Sequence, residues 1–163
     1  MMQETIIWYN GEIFEGRIIF GFGIVLVISA MLFHFYGNTP GARALLFPIL
    51  VTGVLFFAIG AGMNFSNLVK VKKAEKIYNQ DRSLFLKSEI ERVEGFQFMY
   101  PLSIAICLGC FLVASGLLYF TKNINFHAIA ISLIVLGAVL SLIDYFSKER
   151  ANIYYGSLLM KSK

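Results

Sequence analysis

The residues of this chain that could do chemistry are few: the pair Cys107 and Cys110, the histidines His34 and His127, and Asp144. A Cys-x-x-Cys can exchange electrons as a dithiol only where a thiolate forms. Both thiols here lie inside an apolar run, which raises a thiol's pKa and leaves it inert, so they are read as packing residues. The histidines could bind a metal or sense pH, since imidazole titrates near neutrality. Two ligands with no carboxylate beside them make a poor metal centre. No metal is therefore expected, and both are read as polar anchors at the outer boundary of a membrane. Asp144 is the only acid within an apolar run, and such a carboxylate is a functional-site hypothesis by default. Lys148 stands four residues on, however, and on a helix it can pair with Asp144 near the boundary. No catalytic or nucleotide signature accompanies these residues. The chain is not expected to be an enzyme, and no cofactor is expected.

Long apolar runs position all of these residues. Of 163 residues, 58% are hydrophobic and 15% charged, where a soluble domain is nearer about a quarter charged. Apolar runs at about 17–35, 44–63, 99–120 and 126–146 each match a hydrocarbon core of ~30 Å at ~1.5 Å per residue. The expected fold class is an all-α integral membrane protein with four transmembrane helices. It divides into an interfacial N-terminal segment (1–16), a first transmembrane hairpin (17–63), a cytoplasmic helical extension (64–98), a second hairpin (99–147) and a cytoplasmic tail (148–163). The first run follows Glu4, Glu12 and Glu15 rather than a basic stretch, so it is expected to stay as a span and not to be cleaved. Pro48 and Pro101 fall near span starts, where a missing backbone donor costs least. In residues 1–16, Asn10-Gly11 between apolar residues is a hairpin signal. The competing reading, which is favoured, rests Trp8, Tyr9 and Phe14 at headgroup level and leaves the secondary structure open.

Charge sets the orientation. Lys70, Lys72, Lys73, Lys76, Arg82, Lys87 and Arg92 lie in the extension, four more bases lie in the tail, and Arg17 precedes the first span. Twelve of the fourteen bases thus share one side, leaving Arg43 and Lys122 on the other. The positive-inside rule places both termini and the extension in the cytoplasm of a bacterial inner membrane. A formal charge of +4 could also suit nucleic acid. In a membrane protein it reports orientation and contact with anionic headgroups, so no nucleic-acid partner is expected.

Two sets of residues could recognise a protein partner. Leu86, Ile90 and Val93 follow helical spacing, Asp81 can cap that helix, and a turn near residues 79–81 would fold the extension into a hairpin. The extension is longer than a connection needs. With Lys72, Lys73 and Lys76 it forms a candidate docking platform. Small residues are the second set: Gly53 with Gly60, Gly109 with Gly116, Ala105 with Gly109, and Gly137 with Ser141. Such stripes let helix backbones approach closely in a bilayer, within the bundle or against a second copy or a partner.

The Cys107-x-x-Cys110 motif resembles that of the quinone-linked four-helix thiol oxidases. Those place reactive cysteines near the outer face, whereas these lie toward the cytoplasmic end of span three, so the redox role does not carry over. The outline of four spans, short outer loops and both ends inside is similar to the small integral immunity proteins that neutralise membrane-inserting toxins. That resemblance is architectural. It implies a non-enzymatic binding protein, such as an immunity protein, an inhibitor or an accessory subunit. Besides the lipid bilayer, its expected partner is another membrane protein or a second copy, met through helix packing and the cytoplasmic hairpin. The alternative is an oligomeric small transporter or channel subunit. Against it, the spans offer only Ser29, Thr52, Ser103, Ser115, Ser132 and Ser141 as a polar route.

Overall fold

Five helices build the molecule: α1 (Met2–Tyr36), α2 (Pro40–Gln80), α3 (Arg82–Gln97), α4 (Met99–Phe120) and α5 (Ile124–Ser162). The computed structural model describes residues 1–162. Four helices are long and apolar enough to cross a membrane: α1, α2, α5, and α4 with α3 leading into it. The chain is an all-helical, multi-pass membrane protein. With 35, 41 and 39 residues, α1, α2 and α5 each reach ~50–60 Å, about twice a hydrocarbon core. Each therefore continues well past its apolar half.

Local chemistry explains where the helices stop. Thr39 caps α2 by accepting the Ala42 amide at 3.2 Å, with Pro40 in the first helical position. The helix thus begins ahead of residue 44, and Pro48 lies two turns inside it rather than in the first turn. Asp81 ends α2 and starts α3, its carboxylate accepting the amides of Ser83 at 2.8 Å and Leu84 at 3.1 Å. Between α3 and α4, Phe98 keeps helical angles (φ −60°, ψ −26°). Pro101 has no N–H to offer the Gln97 carbonyl, which accounts for the lapse in regular bonding there.

Residues 2–16 are helical and run straight into the span, so Asn10-Gly11 makes no turn. Tertiary packing overrides the local preference. A side-chain carbon on Gly11 would lie 2.9 Å from Arg150 Nε, so the glycine leaves room for that guanidinium.

Two core clusters result. In the apolar half, Ile19, Leu26 and Ala30 of α1 and Ile49 and Phe56 of α2 pack against Val135, Leu136, Val139, Leu140 and Ile143 of α5. In the polar half, Trp8, Tyr9, Ala74, Phe85, Val93, Tyr154 and Leu158 form a second core. The beginning of α1, the end of α2, α3 and the end of α5 thus make a second bundle stacked on the first. The C-terminal segment docks on the extension through Tyr154 and Leu158.

The hairpins pack unevenly. The backbones of α1 and α2 nearly touch, with Gly23 against Gly53 and Phe57, and Gly60 against Gly16 and Phe20. By contrast, α4 has only Tyr100, Cys107 and Ala114 buried. It leans on α5, and α2 and α4 stand apart, leaving a gap between the hairpins.

Candidate functional site

The gap holds a cleft of about 430 Å³ where the two bundles meet. Its floor, toward the spans, is apolar: Ile19, Ile59, Leu140 and Ile143. Its walls mix apolar and aromatic side chains (Trp8, Met63, Phe96, Met99 and Tyr100) with polar ones: Glu12 and Glu15 from α1, Asn67 and Lys70 from α2, Arg92 from α3, Ser103 from α4, and Asp144 and Ser147 from α5.

Glu12 and Glu15 sit one turn apart, so α1 presents both on the same side. Their side chains are only 4% and 7% exposed, and buried carboxylates need partners. Arg150 of α5 supplies one guanidinium nitrogen to both, at 3.2 Å from Glu12 Oε1 and 2.7 Å from Glu15 Oε1. The Ser147 hydroxyl donates to Glu12 at 3.2 Å, and the Tyr100 hydroxyl lies 3.2 Å from Ser147. A single cation therefore serves two carboxylates. Burial pushes the Glu15 carboxyl up to about 7 despite the pull of Arg150, and the charges of Glu12 and Asp144 add to the rise.

Asp144 also lines the cleft and accepts a hydrogen bond from Ser103 of α4. Sequence spacing pairs it with Lys148. The structure gives it a hydroxyl across the α4–α5 contact instead, while Lys148 is exposed.

On the polar side, Arg92 closes the cleft. Its guanidinium donates twice to Glu89, at 3.1 Å and 2.7 Å, and lies over the rings of Trp8 (4.5 Å) and Tyr9 (4.9 Å). Tyr154 donates to the same carboxylate at 2.9 Å and meets Thr5 at 2.8 Å. Burial alone would lower the Arg92 pKa, but its bond to Glu89 holds it above the usual value. Burial raises the pKa of both Tyr9 and Tyr154, and the neighbouring Glu89 charge adds to this. This network ties α1, α3 and α5 together around a charged Arg92.

The residues singled out from the sequence fall in different places. Lys72, Lys73 and Lys76 are exposed on α2. Val93 is 1% exposed within the polar-half core, and Leu86 and Ile90 pack beside it, so the stripe on α3 faces inward. Gly53 and Gly60 sit in the tight α1–α2 contact, and Gly137 meets Phe111 and Cys110 of α4. Ala105 and Ser141 are exposed, and Gly109 and Gly116 face open space. Cys107 is buried, Cys110 is partly buried, and both are free thiols. His34 is exposed at the end of α1, while a His127 ring nitrogen lies 2.8 Å from the Thr121 carbonyl. Among the described residues, no three of His, Cys, Asp and Glu are grouped to hold a metal ion.

Sequence reasoning missed Glu12, Glu15, Arg150, Glu89 and Arg92 as a connected set. The available signal was two acids a turn apart before the first span, set against an arginine just after the last. Gly16 and Gly23 repeat the seven-residue spacing of Gly53 and Gly60, which is the signal that pairs α1 with α2. No protein-family model, no curated protein and no solved structure matches the chain.

Proposed function

We propose that the chain is a non-enzymatic binding protein of a bacterial inner membrane: an immunity protein or inhibitor neutralising a membrane-acting toxin, or an accessory subunit. It acts by packing its helices against another membrane protein, with both termini and the helical extension on the cytoplasmic side. The observation that supports this is the outward face of α4. Tyr100, Cys107 and Ala114 take one side of that helix into contact with the rest of the chain. On the opposite side, Ala105, Gly109, Leu112 and Gly116 follow one another at helical spacing. Leu112 is 74% exposed, and nothing lies within 4 Å of a side-chain carbon added at Gly109 or Gly116. In lipid, helices associate through close packing rather than hydrophobic force, and small residues permit the approach. The α1–α2 contact uses this chemistry inside the chain, and α4 offers it outward. The orientation draws on the twelve bases gathered at the extension end.

The test is co-expression with the product of a neighbouring toxin gene in a sensitive host. Survival is expected, and a Gly109→Leu, Gly116→Leu double variant should insert normally yet fail to protect. Unchanged killing by the toxin would remove the immunity reading. For an accessory subunit, a photo-activatable residue at Leu112 should yield an adduct with a second membrane protein, and its absence counts against that reading. A cysteine placed at Asn38 should label from the periplasmic side, and one at Asn79 should not.

The alternative, an oligomeric small transporter or channel subunit, draws on the cleft, whose carboxylates could face a permeant cation. The apolar floor weighs against it, because the cleft has no polar continuation into the spans. Flux through reconstituted vesicles would reverse this ranking.

A further inference from the structure

Aromatic side chains gather where hydrocarbon gives way to headgroups, so exposed ones mark the membrane boundary on each helix. On α2, exposed Phe47 and Phe65 stand ~27 Å apart along the helix, and on α5, exposed Phe126 and Phe146 stand ~30 Å apart. Both separations match a hydrocarbon core of ~30 Å. Phe65 and Phe146 therefore mark one boundary, on the side where the second bundle is stacked.

One helix face crosses that boundary without a partner in the chain. Past Phe65, α2 carries Leu68, Val69, Lys72, Lys73 and Lys76, which share a face with it at helical spacing. All six are exposed, while Ala74 on the opposite side is buried in the polar-half core. Among the described residues, none of the three lysines enters an ion pair. From Ser66 to Gln80 the only acid is Glu75.

The other helices do not balance this charge. At similar depth, α1 presents Ile7 and Asn10, exposed and uncharged, and on α5 exposed Lys148 is followed by exposed Glu149. The exposed acids of α3, Glu91 and Glu94, line a groove against the end of α5, where Glu94 accepts a hydrogen bond from Tyr155. Positive charge is thus gathered on the α2 side of the bundle.

The order along this face follows the order of a bilayer. Leu68 and Val69 come directly after Phe65, and Lys72 and Lys73 lie ~10–12 Å beyond it along the helix. The headgroup layer extends ~5–8 Å past the hydrocarbon on each side. A lysine stem lies along apolar surface while its ammonium reaches toward charge. The ammonium groups thus come within about one Debye length, ~8 Å, of the phosphate level. We infer that the Lys72, Lys73 and Lys76 face of α2 binds anionic phospholipid headgroups in the leaflet beside it, with Leu68 and Val69 lying against the glycerol region. Lysines that spacing alone offers to a protein-docking platform are thereby assigned to lipid. This face lies apart from the outward side of α4, so the inference holds whether or not a protein docks there.

The test reads lipid at the stripe itself. Full-length protein carrying a photo-activatable residue at Val69, 52% exposed, is placed in nanodiscs of phosphatidylcholine with phosphatidylglycerol as the minor component. Lipid adducts are identified by mass. Phosphatidylglycerol adducts are expected at least ~5-fold above that lipid's share of the bilayer, since one base near the surface attracts anionic lipid by about that factor. The enrichment should be lost in Lys72→Gln, Lys73→Gln and weakened by high salt. It should persist in Arg82→Gln, Lys87→Gln, which removes the same charge from the far turn and from α3. Melting temperatures are compared first, and a probe at Leu68 gives the same readout should the Val69 variant not fold.

Lipid adducts that are absent or in bulk proportion overturn the proposal, as does enrichment that survives Lys72→Gln, Lys73→Gln. Equal loss in the two double variants assigns the effect to net charge alone and overturns it too. In whole membranes, a protein adduct in place of the lipid would return the lysines to a partner and likewise sink the idea.

Discussion

The Arg150 guanidinium lies 2.7 Å from Glu15 Oε1, tying the end of the last apolar span to the start of the first. The same nitrogen holds Glu12 at 3.2 Å, so one side chain neutralises a pair of buried acids. Replacing one partner of a buried ion pair strands the other, at a cost of about 3–5 kcal/mol. Arg150→Met is therefore expected to destabilise the protein by about 3 kcal/mol at pH 8, measured by reversible unfolding in mixed micelles. The loss should shrink at pH 5, where Glu15 can take up a proton instead. A loss independent of pH would mean that Arg150 acts through packing alone.

Glu15 makes stability depend on pH in an unusual direction. Its carboxyl rises from the ordinary 4.5 to about 7, burial being the main cause. The folded chain thus binds this proton more tightly than the unfolded chain does. Its contribution is fully present below about 4.5 and is lost as pH rises toward 7, about 3 kcal/mol across that window. Unfolding free energies at pH 5 and pH 8 should differ by most of this amount, and Glu15→Gln should flatten the difference. An infrared carboxylic-acid band titrating near neutrality, absent from Glu15→Gln, would identify the group. A band that persists in that variant would assign the titration elsewhere.

The apolar half is legible from sequence because an uncharged run long enough to cross a bilayer has few other uses. Asp81 is legible for a similar reason, since a helix cap is a local event that needs only its own next three residues. The polar half resists because its partners lie far apart in the chain. Glu12 and Arg150 are at opposite ends, and nothing in either neighbourhood names the other. Local spacing assigns Asp144 to Lys148, while packing across the α4–α5 contact assigns it to Ser103. Asn10-Gly11 signals a turn only so long as Arg150 is out of view. The stripe Leu86, Ile90 and Val93 is visible as a stripe, but whether it faces a partner or the chain's own tail depends on where α5 ends up.

The α1–α2 contact depends on missing side chains. A carbon added at Gly60 would lie 2.4 Å from the Phe20 amide nitrogen and 2.7 Å from the Gly16 carbonyl oxygen, both backbone atoms that cannot swing aside. Gly60→Ala must push the helices apart, at about 2 kcal/mol, a typical overpacking cost. Gly109→Ala meets nothing within 4 Å and should leave the melting temperature unchanged or slightly higher, since alanine favours helix. Equal destabilisation by the two variants would show that the close approach does not hold the hairpin together.

Arg92 is a case where charge alone does not substitute for shape. Its fork meets Glu89 with two hydrogen bonds while its flat face covers Trp8 and Tyr9. Lysine keeps the charge but offers neither the fork nor the stacking plane. Arg92→Lys is expected to cost about 1–2 kcal/mol and to alter Trp8 emission, because the cation over the indole is displaced. Glu89→Gln should cost at least as much, since it weakens the bonds from Arg92 and Tyr154 together. The double variant Glu89→Gln, Arg92→Met tests whether the two act as a unit. It should lose less than the sum of the single losses, because neither charge is then left buried alone. Additive losses would mean that Arg92 is held by the aromatic rings and that Glu89 serves the tyrosines instead.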